Sequence, residues 1–232
     1  MTSSDTFAAL AEVSTATITT VLLKKGIRNG YMRGPKPLAG DTRRIVGPAF
    51  TMRFIPARED LAVPEAWASP RSTRAAIEDM PAGVVTVADA RGVTEAAIFG
   101  DILVARMKKR GVTALVTDGT MRDAAGVLAT GLPVWCTGAA APSSVAGHIF
   151  VGWQEPIGCG GVAIFPGDIV VADGDGAVVI PVALAEEVAK LGVEQERFED
   201  WALAEVQRGL PLPGLYPPDA QTKARYDAEK KR

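Results

Sequence analysis

The sequence predicts an α/β fold with a partly parallel central sheet and a C-terminal helical arm. Three observations support this: strand-like and helix-like patterns alternate through the middle of the chain, two β-rich runs follow, and apolar residues then recur at helical spacing. With 232 residues, 47% hydrophobic and 22% charged, the chain has enough apolar material for one sizeable core. We expect an α/β domain over residues 1–190. Residues 191–232 should form an arm and tail that pack on this core or on a neighbouring subunit.

The N-terminal part begins with a predicted helix. Residues 14–25, STATITTVLLKK, have Ser14 in position to cap this helix and Gly26 to end it, although their β-branched side chains weakly disfavour it. After a Gly/Pro-rich connector, RIVGPAFTMRFI (44–55) predicts a strand pair or one bent strand. Residues 56–72, PAREDLAVPEAWASPRS, form a long loop of the kind that often carries function.

The middle of the chain has the most regular pattern. Strands are predicted at GVVTVADA (83–90), TALVTD (113–118) and PVWCTG (133–138). A helix at residues 100–111 separates the first two strands, and a second short helix separates the last two. This order predicts parallel strands joined by right-handed crossovers.

The pattern changes after residue 160. Residues 161–181 contain β-rich runs separated by the turn formers PGD and DGDG, which predicts a meander or hairpin. One amphipathic helix, or two, is expected from Ala183 to Arg208, followed by the extended segment LPLPGLYPP and a polar tail.

Composition and charge argue against several classes of partner. The chain has 25 Lys and Arg against 27 Asp and Glu, and its basic residues are scattered outside the last ten positions, so no nucleic-acid surface is expected. No apolar run approaches the roughly 18 residues needed to span a bilayer, and MTSSDTFAAL lacks the order of a secretory signal. We expect a cytoplasmic protein with no membrane partner. Cys136 and Cys159 have no metal-site spacing and should be buried thiols.

Three short motifs fail as functional sites. DGDG (173–176) lacks the later ligands of a calcium loop, since Ala177 and Leu184 occupy two ligand positions, so a hairpin turn is expected. GCGG (158–161) lacks the spacing of a phosphate loop. His148 has no nucleophile at motif spacing, which favours a structural or surface role over a catalytic triad.

An anion site is predicted where two helices begin. GD (100–101) and DGTMRD (118–123) both follow predicted strands and should open onto the same carboxyl edge of the sheet, where α/β sheets bind ligands. The helix that begins near Asp101 would offer free backbone N–H groups at Ile102 and Leu103 to an anion.

Two charged side chains extend this predicted site. The guanidinium of Arg122 matches a carboxylate bidentately. Asp123 facing the same pocket would hold a divalent cation, and one carboxylate plus waters suits Mg²⁺ or Mn²⁺ better than Ca²⁺. The spacing also permits a structural interpretation, in which Asp101 and Asp123 cap their helices and Arg122 pairs with Asp118 at the surface.

The chain resembles the RraA-like family, which includes 4-hydroxy-4-methyl-2-oxoglutarate aldolases, also oxaloacetate decarboxylases, and regulators of ribonuclease E. The resemblance rests on FGDILVARMKKRGVTALVTDGTMRDAAGV (99–127) and PIGCGGVAIFPGDIVVADGDGAVVIP (156–181), with GPAFTMRF (47–54) as a weaker match. It covers most of residues 14–190, and the G-D-x-L and D-G-x-x-R-D pair is fairly specific. It implies a β/β/α swivelling-type domain that assembles as a trimer or as a hexamer of two trimers.

The resemblance also implies roles for the site residues. In the aldolase members, the segment matching Gly100, Asp101, Ile102 and Leu103 supplies backbone N–H groups to the substrate carboxylate, Arg122 matches the Arg that grips the same substrate, and Asp123 matches the metal-coordinating Asp. Such sites lie at subunit boundaries and are completed by a Glu from a neighbour's C-terminal helix, for which the candidates are Glu194, Glu196 and Glu199.

Three functions are compatible with these residues. The first is a metal-dependent lyase that cleaves a small 2-oxo acid through a pyruvate enolate, with a water assisted by Asp101 or by a neighbouring Glu as base; oxaloacetate decarboxylation would need no such base. The second is a protein-binding regulator of a ribonuclease E-type enzyme. The third is a dehydratase of a sugar-derived 2-oxo acid.

Overall fold

The computed structural model describes residues 2–39 and 43–230, which form a mixed α/β structure. Its α-helices are α1 (Ser4–Ala11), α2 (Thr15–Lys24), α3 (Thr73–Asp79), α4 (Asp101–Lys109), α5 (Ala124–Ala129), α6 (Ala185–Gln207) and α7 (Ala220–Lys230). Its strands are β1 (Tyr31–Met32), β2 (Lys36–Pro37), β3 (Ile45–Pro56), β4 (Val85–Asp89), β5 (Ala97–Phe99), β6 (Ala114–Thr117), β7 (Thr120–Met121), β8 (Val134–Cys136), β9 (His148–Trp153), β10 (Ile169–Asp173) and β11 (Gly176–Ile180). The predicted fold class, with a partly parallel central sheet and C-terminal helices, is confirmed.

The main sheet has nine strands in the order β1-β11-β10-β3-β4-β6-β8-β2, with β9 also paired to β3. The strands β3, β4, β6 and β8 are parallel to one another, as the alternating pattern predicts, and their other neighbours are antiparallel. The segment 44–55 is one bent strand, because β3 pairs with β10 at its start, with β4 along its middle and with β9 at its end.

The faces of the strands show how the layers pack. Leu115 of β6 belongs to a core shared with α3, α4 and α5, whereas its neighbour Val116 faces the opposite way, into a core shared with β10 and β11. The side chains of β10 alternate in the same way. Val170 lies in the same core as Val116, between the two layers of strands, and Val171 packs among α1, α2 and α6 on the other face. The order of layers is therefore β/β/α, with a further helical layer outside β10 and β11.

The helix predicted at residues 14–25 is confirmed as α2. The Ser14 hydroxyl oxygen accepts a hydrogen bond from the Thr17 N–H at 3.1 Å, and Gly26 ends the helix with a φ of +85°. The C-terminal amphipathic segment is one helix, α6, which packs closely on the N-terminus: a Cβ added to Gly192 would lie 2.6 Å from Val13 Cγ1.

Three helical segments differ from the sequence prediction. The helices α1 and α3 were not expected, and the residues predicted as a polar tail form α7. This helix was not predicted because it depends on Tyr226, which is buried against Phe198 and Trp201, an aromatic contact that charge composition does not reveal. Lys231 and Arg232, the last two residues of the predicted tail, lie outside the described residues, as do Gly40, Asp41 and Thr42 of the connector.

Within the described ranges, no single helix is long and apolar enough to cross a bilayer. The helices α1 and α2 reach that length only together and across a bend of 112°. Their apolar residues Leu10, Ile18 and Leu22 are buried in the core that they share with β10, β11 and α6.

Candidate active site

The predicted site residues meet at the ends of two short strands beside the main sheet. The strands β5 and β7 pair in parallel, with Ala97 opposite Thr120 and Phe99 opposite Met121. The Arg122 N–H donates to the Phe99 carbonyl oxygen at 3.0 Å. Because β5 leads into α4 and β7 leads toward α5, this pairing brings the starts of the two helices together. The shared edge agrees with the prediction from sequence, whereas β5 and β7 were not predicted.

Two glycines allow the helix starts to approach each other. A Cβ added to Gly100 would lie 2.7 Å from Asp123 Oδ2, and one added to Gly126 would lie 2.6 Å from Asp101 Oδ2. Real Cβ atoms do not approach heavy atoms this closely, so each aspartate occupies space that a side chain on the opposite glycine would fill. Sequence analysis missed Gly126, for which the available signal was a glycine inside a predicted helix.

The backbone of Asp123 has an uncommon conformation. Its φ of +53° and ψ of 42° lie in the left-handed region, which non-glycine residues enter at a cost of roughly 1–3 kcal/mol. Asp123 is the N-cap residue of α5, but its side chain makes no capping hydrogen bond. Instead, its Oδ2 lies 3.2 Å from Arg122 Nε. The carboxylate is therefore directed to the opposing helix start and not to its own helix.

Two expectations about the start of α4 are wrong. The N-cap residue is Gly100, and Asp101 is the first helical residue. The Ile102 N–H is not free, because it donates to Asp101 Oδ1 at 2.7 Å. Leu103 lies in the same first turn, where backbone N–H groups have no partner four residues earlier in the helix. An anion that binds the Ile102 N–H must therefore displace the Asp101 carboxylate.

The pairing of Arg122 with Asp118 proposed in the structural interpretation does not occur. The side chain of Arg122 is 40% exposed and pairs with Asp123, whose side chain is 47% exposed. Both groups are thus accessible to a ligand. An exposed ion pair of this kind contributes little to stability, about 0–1 kcal/mol.

Asp118 is instead a buried acceptor beneath the site. Its Oδ1 accepts from the Ala90 N–H at 2.8 Å, and its Oδ2 accepts from the Gly160 N–H at 3.0 Å. Burial raises the pKa of Asp118, and the charge of Asp89 adds to this increase, although the two backbone hydrogen bonds act against it. Asp118 therefore joins the end of β4 to the GCGG turn.

The other excluded motifs have structural roles. DGDG is the turn between β10 and β11, in which the Asp173 carboxylate accepts from the Thr15 N–H and the Asp175 N–H. His148 is buried, with Nε2 at 3.1 Å from the Ala90 carbonyl oxygen. Cys136 and Cys159 are free and buried, as predicted. Burial raises the pKa of the Cys159 thiol well above its ordinary value, which makes it an unreactive core thiol.

One chain supplies few metal ligands at this site. No group of three or more His, Cys, Asp or Glu side chains in the described part of the chain is arranged to hold a metal ion. The carboxylate of Asp123 is a hard oxygen donor that is half-exposed and is not used in capping. Such a donor fits Mg²⁺ or Mn²⁺, which retain several waters when they bind proteins through one or two carboxylates.

The three C-terminal glutamates considered for a neighbour's site all have partners in their own chain. Glu194 pairs with Lys230, and Glu199 accepts from the Tyr216 hydroxyl at 2.9 Å. Glu196 accepts from the Ser14 N–H at 2.7 Å. Although burial raises the pKa of Glu196, its hydrogen bonds with Ser14 and Thr17 outweigh this effect and lower it overall.

Comparisons with known proteins identify the family of this chain. A profile of the RraA-like family, described as Aldolase/RraA, matches residues 11–179. A protein of Halalkalibacterium halodurans that bears the provisional name 4-hydroxy-4-methyl-2-oxoglutarate aldolase is 36% identical over 168 residues, which cover 71% of this chain and 72% of that protein. The chain belongs to the RraA-like family.

Two crystal structures resemble this RraA-like chain over most of its length. Streptomyces coelicolor RraAS2, described as an unusual member of the RNase ES inhibitor RraA protein family, is 36% identical with a TM-score of 0.78 and is aligned over 87% of this chain and 96% of its own. An uncharacterized protein from Pseudomonas syringae is 26% identical, also with a TM-score of 0.78, over 92% and 98% of the two chains.

We expect Asp118→Asn to remove a pH-dependent part of the folding stability. Because the folded state raises the pKa of Asp118, the folded protein retains this proton to a higher pH than the unfolded chain does. The contribution of Asp118 is therefore greatest below its ordinary pKa of 3.8 and is lost as the pH rises through the folded value. Urea unfolding measures the free energy of unfolding of both proteins between about pH 4 and pH 7. The wild-type value minus the variant value should fall as the pH rises. A difference independent of pH would contradict the raised pKa.

We expect Asp101 and Gly126 to be energetically coupled. Gly126→Ala alone should not gain the roughly 1 kcal/mol of helix propensity, because the new methyl group meets Asp101. In an Asp101→Gly background, which removes both the carboxylate and the Cβ that would lie 2.8 Å from the added methyl group, the same change should be stabilising. A double-mutant cycle from denaturant unfolding should give a coupling of about 0.5–3 kcal/mol. The control cycle of Asp101→Gly with Ala129→Gly, at the far end of α5, should be additive within about 0.5 kcal/mol.

Proposed function

We propose that this RraA-like protein is a divalent-metal-dependent lyase that cleaves a small 2-oxo acid through a pyruvate enolate. Its reaction would be that of a 4-hydroxy-4-methyl-2-oxoglutarate-type aldolase, with oxaloacetate decarboxylase activity. The observation that carries this proposal is the placement of the Arg122 guanidinium and the Asp123 carboxylate side by side against Gly100. The provisional name of the Halalkalibacterium halodurans relative supports it.

Arg122 would bind the substrate carboxylate. Its guanidinium is accessible, and its backbone is fixed by the hydrogen bond to Phe99. A bidentate contact from a fixed arginine orients the carboxylate as well as attracting it. The first turn of α4, including the Leu103 N–H, adds donors and the positive end of a helix dipole. The adjacent carbonyl of the 2-oxo acid then faces Asp123.

Asp123 would hold the metal ion, Mg²⁺ or Mn²⁺. When bound, such an ion supplies Lewis-acid stabilisation of the negative charge that develops on the 2-oxo oxygen. The left-handed backbone of Asp123 supports this role, because it directs the carboxylate away from capping and toward the substrate position. We infer that the conformational cost is maintained for this purpose.

Asp101 is placed to accept a proton from the substrate. In aldol cleavage the 4-hydroxyl loses its proton, the bond between carbons 3 and 4 breaks to release a carbonyl product, and the enolate then takes a proton to become pyruvate. The Asp101 carboxylate would accept the hydroxyl proton through a water once it leaves the Ile102 N–H. In oxaloacetate decarboxylation, carbon dioxide departs and the electron pair of the bond between carbons 3 and 4 forms the same enolate. No hydroxyl proton is lost, so Asp101 is not needed as a base.

The site would be completed by a neighbouring subunit in a trimer or hexamer. Arg122 and Asp123 are half-exposed in the single chain, and the adjacent Ile102 side chain is 79% exposed. This exposed apolar side chain next to the charged groups would be available for contact with another chain. Such a cover would exclude water and strengthen the electrostatic contacts of the site.

The second candidate function is protein-binding regulation of a ribonuclease E-type enzyme. The similarity to RraAS2, at the same 36% identity as the aldolase-named relative, favours it. In that case Asp101, Arg122 and Asp123 would still be present, but the protein would not turn over a substrate. The two functions differ in an observable way, because regulation requires a ribonuclease partner and does not require a divalent metal.

We expect Mg²⁺-dependent release of pyruvate from 4-hydroxy-4-methyl-2-oxoglutarate and from oxaloacetate. Arg122→Ala and Asp123→Ala should each lower kcat/KM by about 10²–10³-fold, as for loss of one preorganised charged contact. A lactate dehydrogenase-coupled assay, with and without chelator, measures this. Arg106→Ala is the matched control and should retain activity, since Arg106 lies on α4 but pairs with Glu78 at 2.7 Å.

Two results would decide against the lyase. Turnover that survives both the chelator and the two substitutions would place the chemistry elsewhere. Absence of turnover with any 2-oxo acid, combined with tight, metal-independent binding to a ribonuclease E-type enzyme, would establish the regulator instead.

We expect Ile102→Glu to weaken assembly and activity together. A charge at this exposed position would have to be desolvated in a subunit boundary. Sedimentation velocity should show a trimer or hexamer for the wild type and a shift to smaller species for the variant. Val182→Glu, which alters a side chain that is 50% exposed between β11 and α6, is the control and should leave the site's activity unchanged. A wild-type monomer with full activity would contradict the shared site.

A further inference from the structure

The connector between α2 and β1 carries the only asparagine of the chain, Asn29, directly followed by Gly30. Both residues lie outside helix and strand, since α2 ends at Lys24 and β1 begins at Tyr31. Asparagine is one of the chemically labile residues. A following glycine leaves the main-chain nitrogen open to the asparagine side chain, because glycine has no Cβ to obstruct the approach. The proposed lyase chemistry does not use this pair.

The main-chain nitrogen of Gly30 is free to react. Its N–H has no hydrogen-bond partner within residues 2–39 and 43–230, although the Gly30 carbonyl oxygen accepts from the Val179 N–H at 2.8 Å. Gly30 also lines a surface cavity of about 400 Å³ between α2 and the β10–β11 turn, bordered by Thr19 and Asp175. Water can therefore reach the connector, and no hydrogen bond has to break before this nitrogen attacks.

The side chain of the exposed Asn29 is held by a single contact. Its Nδ2 donates to the carbonyl oxygen of Gly161, in the GCGG turn, at 2.7 Å. The need to break one such hydrogen bond slows a reaction by about tenfold at most, because its net contribution in water is modest. An intramolecular attack gains far more than this from proximity. The contact with Gly161 therefore delays a reaction of Asn29 without preventing it.

Two arginines place positive charge near Asn29. Arg28 and Arg33 are both exposed, and neither has a carboxylate partner in the part of the chain that the structure describes. Arg33 covers Gly161, where an added Cβ would collide with its guanidinium. Nearby positive charge favours the deprotonated nitrogen that attacks, and it favours a carboxylate as the product.

We propose that Asn29 is a modification site, at which the folded protein converts asparagine to aspartate and isoaspartate. The Gly30 nitrogen gives its proton to water and attacks Cγ of Asn29, and the side-chain nitrogen departs as ammonia to leave a five-membered succinimide ring. Water then adds to one of the two ring carbonyl carbons and breaks the bond from that carbon to the nitrogen. Cleavage at Cγ gives aspartate, and cleavage at the main-chain carbonyl carbon gives isoaspartate. One asparagine and one water thus become one acid and one ammonia.

This conversion releases the GCGG turn from the connector. A carboxylate at position 29 cannot donate to the Gly161 carbonyl oxygen, so two acceptors face each other. The isoaspartate form also lengthens the main chain by one carbon just before β1, whose pairing with β11 is only two residues long. Gly160 of the same turn donates to Asp118 beneath the candidate site. The modification therefore acts on the support of the site, and it takes place whether or not the protein is a lyase.

Conversion is measured on the folded, full-length protein and on the same protein in urea, both at mildly alkaline pH. Mass spectrometry of the chymotryptic peptide that ends at Tyr31 detects the replacement of the amide NH₂ by OH, and ion-exchange chromatography detects the added negative charge. The folded protein should convert Asn29 at no less than about one tenth of the rate in urea. The glutamines are internal controls that should remain unchanged, because their cyclisation needs a six-membered ring: Gln154, Gln195, Gln207 and Gln221. An Asn29 that stays intact in the folded protein after the urea sample has converted would overturn the proposal.

Two variants separate the chemistry from its structural effect. Asn29→Gln keeps an amide at this position and should lose the conversion, whereas wild-type conversion should become faster as the pH rises, because the attacking nitrogen must lose its proton. Asn29→Asp supplies one product directly and should speed amide hydrogen exchange in residues 158–162, with no change in α4 as the control. Equal conversion in Asn29→Gln, or unchanged exchange of the turn in Asn29→Asp, would contradict the assigned site or the release of the turn, respectively.

Discussion

The backbone hydrogen bonds of β3 join the layers of the molecule. Its first residues pair with β10, its middle with β4 and its end with β9. The change of partner occurs at Gly47 and Pro48, where a Cβ on Gly47 would lie 2.9 Å from the Gly83 carbonyl oxygen. The parallel strands β4 and β6 are placed by β3, and they lead in turn to β5 and β7. The positions of the charged residues at α4 and α5 therefore depend on one bent strand at the centre of the sheet.

Close packing, more than hydrogen bonding, determines the geometry of the candidate active site. Asp101 lies against Gly126 and Asp123 lies against Gly100, so each acid is positioned by the absence of a side chain opposite it. Arg122 pairs with Asp123 and so balances one of the two carboxylates. The negative charge that Arg122 does not balance favours a cation, and the accessible guanidinium favours an anion. The same few residues therefore suit a metal ion and a carboxylate bound next to each other.

The regular parts of the fold could be predicted from sequence because their signals are local. Apolar runs identified β4, β6 and β8, and Ser14 with Gly26 identified α2. The tail helix α7 could not be predicted, since its stability depends on Tyr226 meeting Phe198 and Trp201 of α6. In the site, the meeting of Asp101, Arg122 and Asp123 followed from the strand-to-helix order. The left-handed Asp123 and the occupied Ile102 N–H could not be predicted, because both depend on how two helix starts face each other.

The pairing of β5 with β7 makes the core of the candidate site local in the chain. The segment from Phe99 to Gly126 that shapes it consists of the end of β5, then α4, β6 and β7, and the start of α5. The C-terminal glutamates, in contrast, belong to a helix that begins only at Ala185. A compact stretch of sequence can thus be inherited as a unit while the arm diverges. The match to the RraA-like family over residues 11–179 contains this whole stretch and ends before the arm begins.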